Sequence, residues 1–171
     1  EVGGEVASGE ALVAMLAAPV GIYRTAVEGL HRILAGIASE PQDLRWRVIR
    51  ASNEGFQEAL GRRPGVRLFL RGIGFQPCAR EAMAHGLLAA LNLSGGPPTE
   101  RFYYMQEPNM LEAYEEWAAW HRRIGAIAEF LQALERLAFQ RTAHLGQRGG
   151  DVAAHTVISG AEVLQRWEGR G

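Results

Sequence analysis

The sequence predicts an α+β fold that is predominantly helical and carries a small sheet of two or three strands. Its composition is that of a globular protein, with 47% hydrophobic and 22% charged residues. Apolar residues recur every three or four positions in several long stretches, which is typical of amphipathic helices. Only short segments have the aromatic content of strands, and the clearest is RFYYM at 101–105.

The N-terminal part of the chain predicts two helices. Residues 1–8 are rich in glycine, so we expect a loose, flexible tail there. Ser8 is a suitable N-cap for a first helix, which Pro19 ends. A second helix is predicted over 21–39, where the apolar stripe is strongest.

The middle of the chain predicts three further helices. Pro41 is expected to begin a helix that carries the stretch RWRVIRASNEGF, residues 45–56. A short helix over 54–60 continues from the end of that stretch. The turn GRRPG then separates it from a third helix over 66–71, which glycines end.

The remaining segments predict strands and helices in alternation. A short strand over 73–76 is followed by an amphipathic helix over 79–93 and a loop, and RFYYM forms the next strand. A long helix over 110–138 and a last candidate helix over 152–167 complete the chain.

The predicted elements form one main domain with additions. We expect a helical bundle with a small sheet over 9–139, in which the helix at 79–93 is an insertion. Residues 1–8 form the tail that precedes it. A C-terminal extension over 140–171, with one candidate helix, follows the domain.

The charged residues restrict the kinds of partner and chemistry. The net charge is −1, so no global field attracts nucleic acid or an anionic membrane. All 18 cationic residues are arginines, which removes lysine-based chemistry and favours forked recognition of carboxylates. No apolar run is long enough to span a bilayer, so we expect neither a nucleic-acid nor a membrane partner.

No catalytic or metal site is recognisable in the sequence. The single cysteine, Cys78, excludes an internal disulfide and a cysteine-based zinc site. The five histidines lack the paired spacing of metal ligands, so we expect no metal and no cofactor. Because no nucleophile has a recognisable base, we expect a protein that is not an enzyme.

The stretch over 45–56 concentrates recognition chemistry. On a helix, one of its stripes is the natural core face: Ile49, Ser52 and Phe56. The neighbouring stripe faces outward: Trp46, Arg50 and Asn53. These three residue types supply an apolar surface, a partner for carboxylates and a partner for a peptide backbone. Together they predict a peptide-binding surface. The alternative is a tryptophan that covers the core edge among solvated arginines. Flanking acidic residues disfavour a nucleic-acid strip.

The same stretch resembles the central signature of the PUB (or PUG) domain family. This helical module occurs in peptide N-glycanases, UBX-domain proteins and the linear-ubiquitin ligase. The family pattern is a basic residue, an aromatic, Arg, any residue, Ile, Arg, two variable residues, Asn, two variable residues and Phe. It matches Arg45 to Phe56 without a gap. A second family block resembles the Pro64 turn and the run Ile73-Gly74-Phe75, so the resemblance covers about residues 25–76.

The resemblance implies a non-catalytic adaptor for the AAA+ ATPase called valosin-containing protein. Such an adaptor binds the short, acidic and aromatic C-terminal tail of the ATPase and links its parent protein to ubiquitin-dependent quality control. A cytoplasmic or nuclear location is implied as well. The residues carried over to the pocket are Arg45, Trp46, Arg50, Asn53, Gly74 and Phe75. In these roles the two aromatic rings pack the ligand's apolar side chains, Asn53 holds its backbone, and the arginines meet its acidic groups.

This sequence departs from the family pattern at three places. Trp46 stands where the family usually has tyrosine, and Gly36 stands where some members carry asparagine. A segment of some twenty residues also separates the Gly-Phe turn from the next predicted strand. These departures leave an alternative open, a scaffold with the same fold, a degenerate pocket and a different protein partner. The sequence indicates no oligomeric state.

Overall fold

The computed structural model describes residues 2–146 and 151–170. The first part of the chain folds into these elements: α1 (Val2–Met15), α2 (Val20–Ser39), α3 (Leu44–Arg47), strand β1 (Val48–Arg50), α4 (Glu54–Phe56), one turn of π-helix (Gln57–Gly61) and α5 (Val66–Ile73). The second part continues with β2 (Gln76–Ala79), a 3₁₀ turn (Arg80–Ala82), α6 (His85–Ala90), β3 (Arg101–Tyr104), α7 (Tyr114–Ala143), a second 3₁₀ turn (Ala154–Thr156) and α8 (Gly160–Glu168).

The three strands form one antiparallel sheet with β3 in the centre, in the order β1-β3-β2. The predicted α+β class, predominantly helical with a small sheet, is therefore confirmed. The predicted strand at 101–105 is the central one.

The core forms where α2 packs against α7. The buried face of α2 has helical spacing and consists of Val20, Tyr23, Ala26, Val27, Leu30, Leu34 and Ile37. The facing side of α7 is also apolar and consists of Ile124, Ile127, Ala128, Phe130, Leu131, Leu134 and Ala138. Helix α2 matches its prediction closely. Helix α7 starts later than the predicted residue 110, because a turn around Asn109 precedes it.

Helix α1 lies against α5 at a point of close backbone approach. A Cβ atom on Gly4 would come within 2.9 Å of the carbonyl oxygen of Gly72. Ser8 is buried inside the helix, where its hydroxyl donates to the carbonyl of Gly4 at 3.0 Å. The predicted loose tail is therefore wrong for residues 2–8, and Ser8 is not a cap. Gly4 and Gly72 lower helix propensity, but their lack of a side chain is what lets the two backbones meet.

The C-terminal extension packs onto the same core. Trp167 on α8 is 3% exposed, and its ring meets the rings of Phe69 and Phe130 edge-on at centroid distances of 5.9 and 5.2 Å. Its indole N–H donates to the carbonyl of Glu5 on α1 at 2.8 Å. The helix is shorter than the predicted 152–167, because its N-cap is Ser159, whose hydroxyl accepts an N–H from the first turn.

The stretch over 45–56 does not form the predicted helix. Helix α3 ends after one turn, and β1 then pairs with β3, with Ile49 opposite Tyr103. The β-branched residues Val48 and Ile49 suit a strand, and their partner strand lies some fifty positions away in the sequence. Tertiary pairing therefore overrides the local helical pattern.

The segment after α5 also differs from its prediction. Gly74 ends α5 with φ of +120°, a conformation that L side chains rarely adopt, so the strand expected at 73–76 begins only at Gln76. Because Gln76–Ala79 pair with β3, the helix expected at 79–93 shrinks to the short α6. Asn92, with φ of 55°, lies just beyond its end.

Candidate peptide-binding groove

A groove of about 540 Å³ opens between α2 and the stretch over 45–60. Its apolar floor comes from Ile33, Trp46, Ile49, Phe56 and Leu60. Its polar lining comes from Arg32, Arg45, Arg50 and Asn53. Leu93, from the segment between β2 and β3, also lines it. The structure thus brings together four of the six residues carried over from the family: Arg45, Trp46, Arg50 and Asn53.

Trp46 fits into the groove floor because α2 has no side chain at Gly36. A Cβ atom on Gly36 would approach the indole atoms Cδ2, Cε2 and Cε3 much more closely than van der Waals contact allows. The ring is half-buried and packs against the core. The departures from the family pattern at Trp46 and Gly36 are therefore coupled, since the larger indole occupies the space that a side chain at Gly36 would need.

Arg45 is held at the groove rim by Asp43. Its Nε donates to both carboxylate oxygens at 3.0 Å, and its Nη2 donates to Oδ2 at 2.6 Å. Hydrogen bonds from the Arg45 side chain and backbone hold the pKa of the Asp43 carboxyl below its usual range. The guanidinium is exposed, and its Nη1 has no hydrogen-bond partner among residues 2–146 and 151–170. It can therefore still donate to a bound carboxylate.

Arg50 shares the carboxylate of Glu100, the residue just before β3. The Nε of Arg50 donates to one oxygen of Glu100, the Ser52 hydroxyl donates to the same oxygen at 3.1 Å, and Arg80 binds the other oxygen. These contacts, first that of Arg50 and then that of Arg80, lower the pKa of Glu100 to about 2. Arg50 lines the groove, and neither of its Nη groups has a hydrogen-bond partner among the described residues, so both remain available as donors.

Asn53 is both a helix cap and a groove residue. Its Oδ1 accepts the N–H of Phe56 at 2.9 Å and so caps α4. The side chain is exposed, and its amide N–H₂ makes no hydrogen bond within the described part of the chain. The oxygen is therefore committed to the fold, whereas the amide donors are available to a ligand's carbonyl groups.

Gly74 and Phe75 do not lie in the groove. Phe75 is 0% exposed, and its side chain belongs to the main core. Gly74 lies beside Met105 and Arg123. The predicted contact of the Phe75 ring with a ligand is therefore wrong for this structure, because the ring has no exposed face. Both residues instead shape the turn between α5 and β2.

Arg47, the middle arginine of the stretch, has a structural role. It is buried, and its guanidinium donates to the carbonyl oxygens of Pro41 and Met105 at 2.9 and 3.1 Å. It also binds the carboxylate of Glu107 at 3.1 Å. It thereby ties the loop before α3 to the segment after β3, and it is unavailable to a ligand.

Sequence reasoning missed Arg32 and Leu93 as groove residues. Arg32 lies on α2 with Gly29, Ile33 and Gly36, and this spacing places the four residues on a second face of the helix, beside its buried face. That pattern was a usable signal. Leu93 had none, since only the fold of the inserted segment brings it to the groove.

The Glu100 cluster predicts a specific dependence of stability on pH. A carboxyl whose folded pKa is about 2, below the usual value of about 4.3, stabilises the fold above pH ~4 and loses that effect as the pH falls toward 2. Glu100→Gln should therefore lower the free energy of unfolding at pH 6, and the difference from wild type should shrink on acidification. Urea unfolding from about pH 6 to 2 measures this. An equal difference at every pH would contradict the assignment.

Residues 2–146 and 151–170 contain neither a candidate metal site nor a membrane-spanning helix. No group of three or more histidine, cysteine, aspartate or glutamate side chains there is arranged to hold a metal ion. No helix in those ranges has the length and apolar content needed to cross a bilayer.

The fold and the groove define a class: a mostly helical module with an open groove that has an apolar floor and a cationic rim. Comparison with known families agrees, because the model of the PUB domain matches residues 22–115, or 94 of the 171 residues. The chain therefore belongs to the PUB domain family, and the resemblance of its central stretch is confirmed. PUB domains are protein-interaction modules, so this chain is one too. Searches of curated proteins and of solved structures gave no match.

Proposed function

We propose that this PUB domain binds the acidic, aromatic C-terminal tail of the AAA+ ATPase valosin-containing protein in the groove between α2 and β1. The proposal places the protein in the cytoplasm or nucleus, where it links its parent protein to ubiquitin-dependent quality control. The observation that carries it is the combination of an aromatic floor and a cationic rim in one open groove within the family match.

Each part of the groove suits a different part of such a tail. The half-buried Trp46 gives a flat apolar surface on which an aromatic side chain can pack. The free amide donors of Asn53 can hold a backbone carbonyl of an extended peptide. Arg32, Arg45 and Arg50 place three guanidinium groups around this floor, which favours a ligand with carboxylates.

The internal partners of the rim arginines limit the affinity without closing the site. Arg45 and Arg50 already contact Asp43 and Glu100, so a ligand carboxylate adds to a pair rather than meeting a free cation. Their remaining Nη donors can bind it without breaking either contact. We therefore expect micromolar binding, about −8 kcal/mol, rather than a tighter complex.

Calorimetric titration of the full chain with a synthetic tail peptide tests the proposal. Trp46→Ala should weaken binding at least tenfold because the apolar surface is lost. Asn53→Ser keeps an oxygen that caps α4 but removes the amide donors, so it should also weaken binding while leaving the melting temperature near that of wild type. A tail peptide phosphorylated on its tyrosine should bind poorly, since the floor packs a bare ring.

A matched control comes from Leu68, an exposed apolar residue on α5 that does not line the groove. Leu68→Ser should bind the tail as wild type does. Full binding by both the Trp46→Ala and Asn53→Ser variants would refute the site. Absence of tail binding by the wild-type chain would refute the partner and favour the alternative, a scaffold for another protein.

A further inference from the structure

A second exposed surface lies at the start of α7, which we call the α7 patch: Met110, Leu111, Tyr114 and Trp117. Leu111 is 92% exposed, Tyr114 is 61% exposed and Met110 is 37% exposed. Of the seven large hydrophobic side chains that are exposed among the described residues, three belong to this patch. Single exposed apolar residues are ordinary, whereas a cluster of them marks a contact surface.

The turn before α7 fixes the position of the patch. The N–H of Leu111 donates to Oδ1 of Asn109 at 3.0 Å, and the N–H of Ala113 donates to the carbonyl of Asn109 at 2.8 Å. One turn further on, the rings of Tyr114 and Trp117 stack with a centroid distance of 6.4 Å. The apolar side chains are thus presented by ordered backbone and by a ring pair, which lowers the entropic cost of binding.

Trp117 anchors the patch to the body of the protein and borders a hollow. Its indole N–H donates to Glu107 at 2.7 Å, and its ring stacks on His121 at 5.0 Å. Together with Met110 and the loop over 39–43, it lines a hollow of about 440 Å³. This volume can receive an apolar side chain of a partner.

The surroundings of the patch are acidic. Glu112, Glu115 and Glu116 are exposed in or beside the first turn of α7, and Glu40 lines the hollow from the other side. None of the four forms an ion pair within the described parts of the chain, whereas Asp43, which also lines the hollow, is paired with Arg45. Acidic side chains at a helix N-terminus interact favourably with the helix dipole, but that role does not account for the exposed leucine and tyrosine.

We propose that the α7 patch binds a basic peptide segment of a protein partner, in which lysine or arginine flanks apolar side chains. An apolar side chain fills the hollow beside Trp117 and Met110, and its cationic neighbours meet the surrounding carboxylates. The groove has the opposite charge, since its rim carries Arg32, Arg45 and Arg50. The two surfaces therefore select different segments and can be occupied together.

Selection of a phage-displayed random peptide library on the full chain tests this inference. Besides acidic peptides bound by the groove, a second enriched set should carry net positive charge and at least one large apolar residue, and one peptide of this basic set, made synthetically, is the probe for fluorescence anisotropy. The double variant Leu111→Ser, Tyr114→Ser should bind the probe at least tenfold more weakly, with unchanged circular dichroism because both side chains are exposed. The variant Glu112→Gln, Glu115→Gln should lose binding severalfold, and the loss should be larger at low salt.

The groove variant Trp46→Ala is the control, because it should bind the probe as wild type does whatever its affinity for the acidic tail. The inference is overturned if no basic peptide is enriched, or if the double variant binds the enriched basic peptides as wild type does. It is also overturned if sedimentation velocity shows that wild type self-associates and the double variant does not. In that case a second copy of the chain covers the patch.

Discussion

Gly36→Ala is expected to force the Trp46 indole out of its place in the groove floor. The new methyl group would occupy the volume of the ring, and overpacking of this kind costs about 1–3 kcal/mol of unfolding free energy. The substitution should therefore destabilise the protein, although alanine is normally favoured over glycine inside a helix. Urea unfolding gives the stability, and the chemical shift of the Trp46 indole N–H reports the displacement of the ring.

The control for this prediction is Gly125→Ala on α7, where a Cβ atom would meet nothing within 4 Å. That variant should be more stable than wild type by about 0.5–1 kcal/mol, as alanine usually is in a helix. In a Trp46→Ala background, Gly36→Ala should likewise become stabilising, because the clash has been removed. If Gly36→Ala destabilises the protein equally in both backgrounds, the indole is not the cause.

Trp167→Ala is expected to be the most damaging single substitution on α8. The ring is buried between α1, α5 and α7, and its N–H holds a backbone carbonyl of α1. Truncation of a buried tryptophan costs about 3–5 kcal/mol, which corresponds to a fall in melting temperature of about 10 °C for a protein of this size. Differential scanning calorimetry measures the change.

Two variants separate loss of this contact from a general effect on the helix. Glu168→Ala alters the next, exposed residue and should melt near the wild-type temperature. Trp167→Phe keeps a ring but loses the hydrogen bond to Glu5, so its melting temperature should lie between those of wild type and Trp167→Ala. A normal melting temperature for Trp167→Ala would mean that α8 does not support the core in solution.

The helices that could be predicted from the sequence are those that carry their own signal. Helix α2 shows its core face in its apolar spacing, and Pro19 precedes it, so its bounds follow from local residues. A first helix beginning at Ser8 was predicted, but the turns of α1 that precede Ser8 were not. Its glycines read as a loose tail, and only the position of Gly72, far away in the sequence, explains Gly4.

The site was predicted through its residue types rather than through its local structure. Trp46, Arg50 and Asn53 all line the groove, although they lie on three different elements rather than on one helix: α3, β1 and the N-cap of α4. The strand depends on pairing with β3, which no local pattern reveals. Phe75 was carried over from the family pattern alone, and burial of its ring depends on packing that the pattern does not encode.

The contact between α1 and α8 brings residues from opposite ends of the described chain together. Arg170 binds the carboxylate of Glu5 at 3.3 Å, and the backbone of the same glutamate holds Trp167. This contact closes the longest loop in the structure, which by chain statistics costs about 4–5 kcal/mol of entropy for a loop of this length. A covalent bridge between the two helices would restrict the unfolded chain and so remove this entropic cost from the free energy of folding.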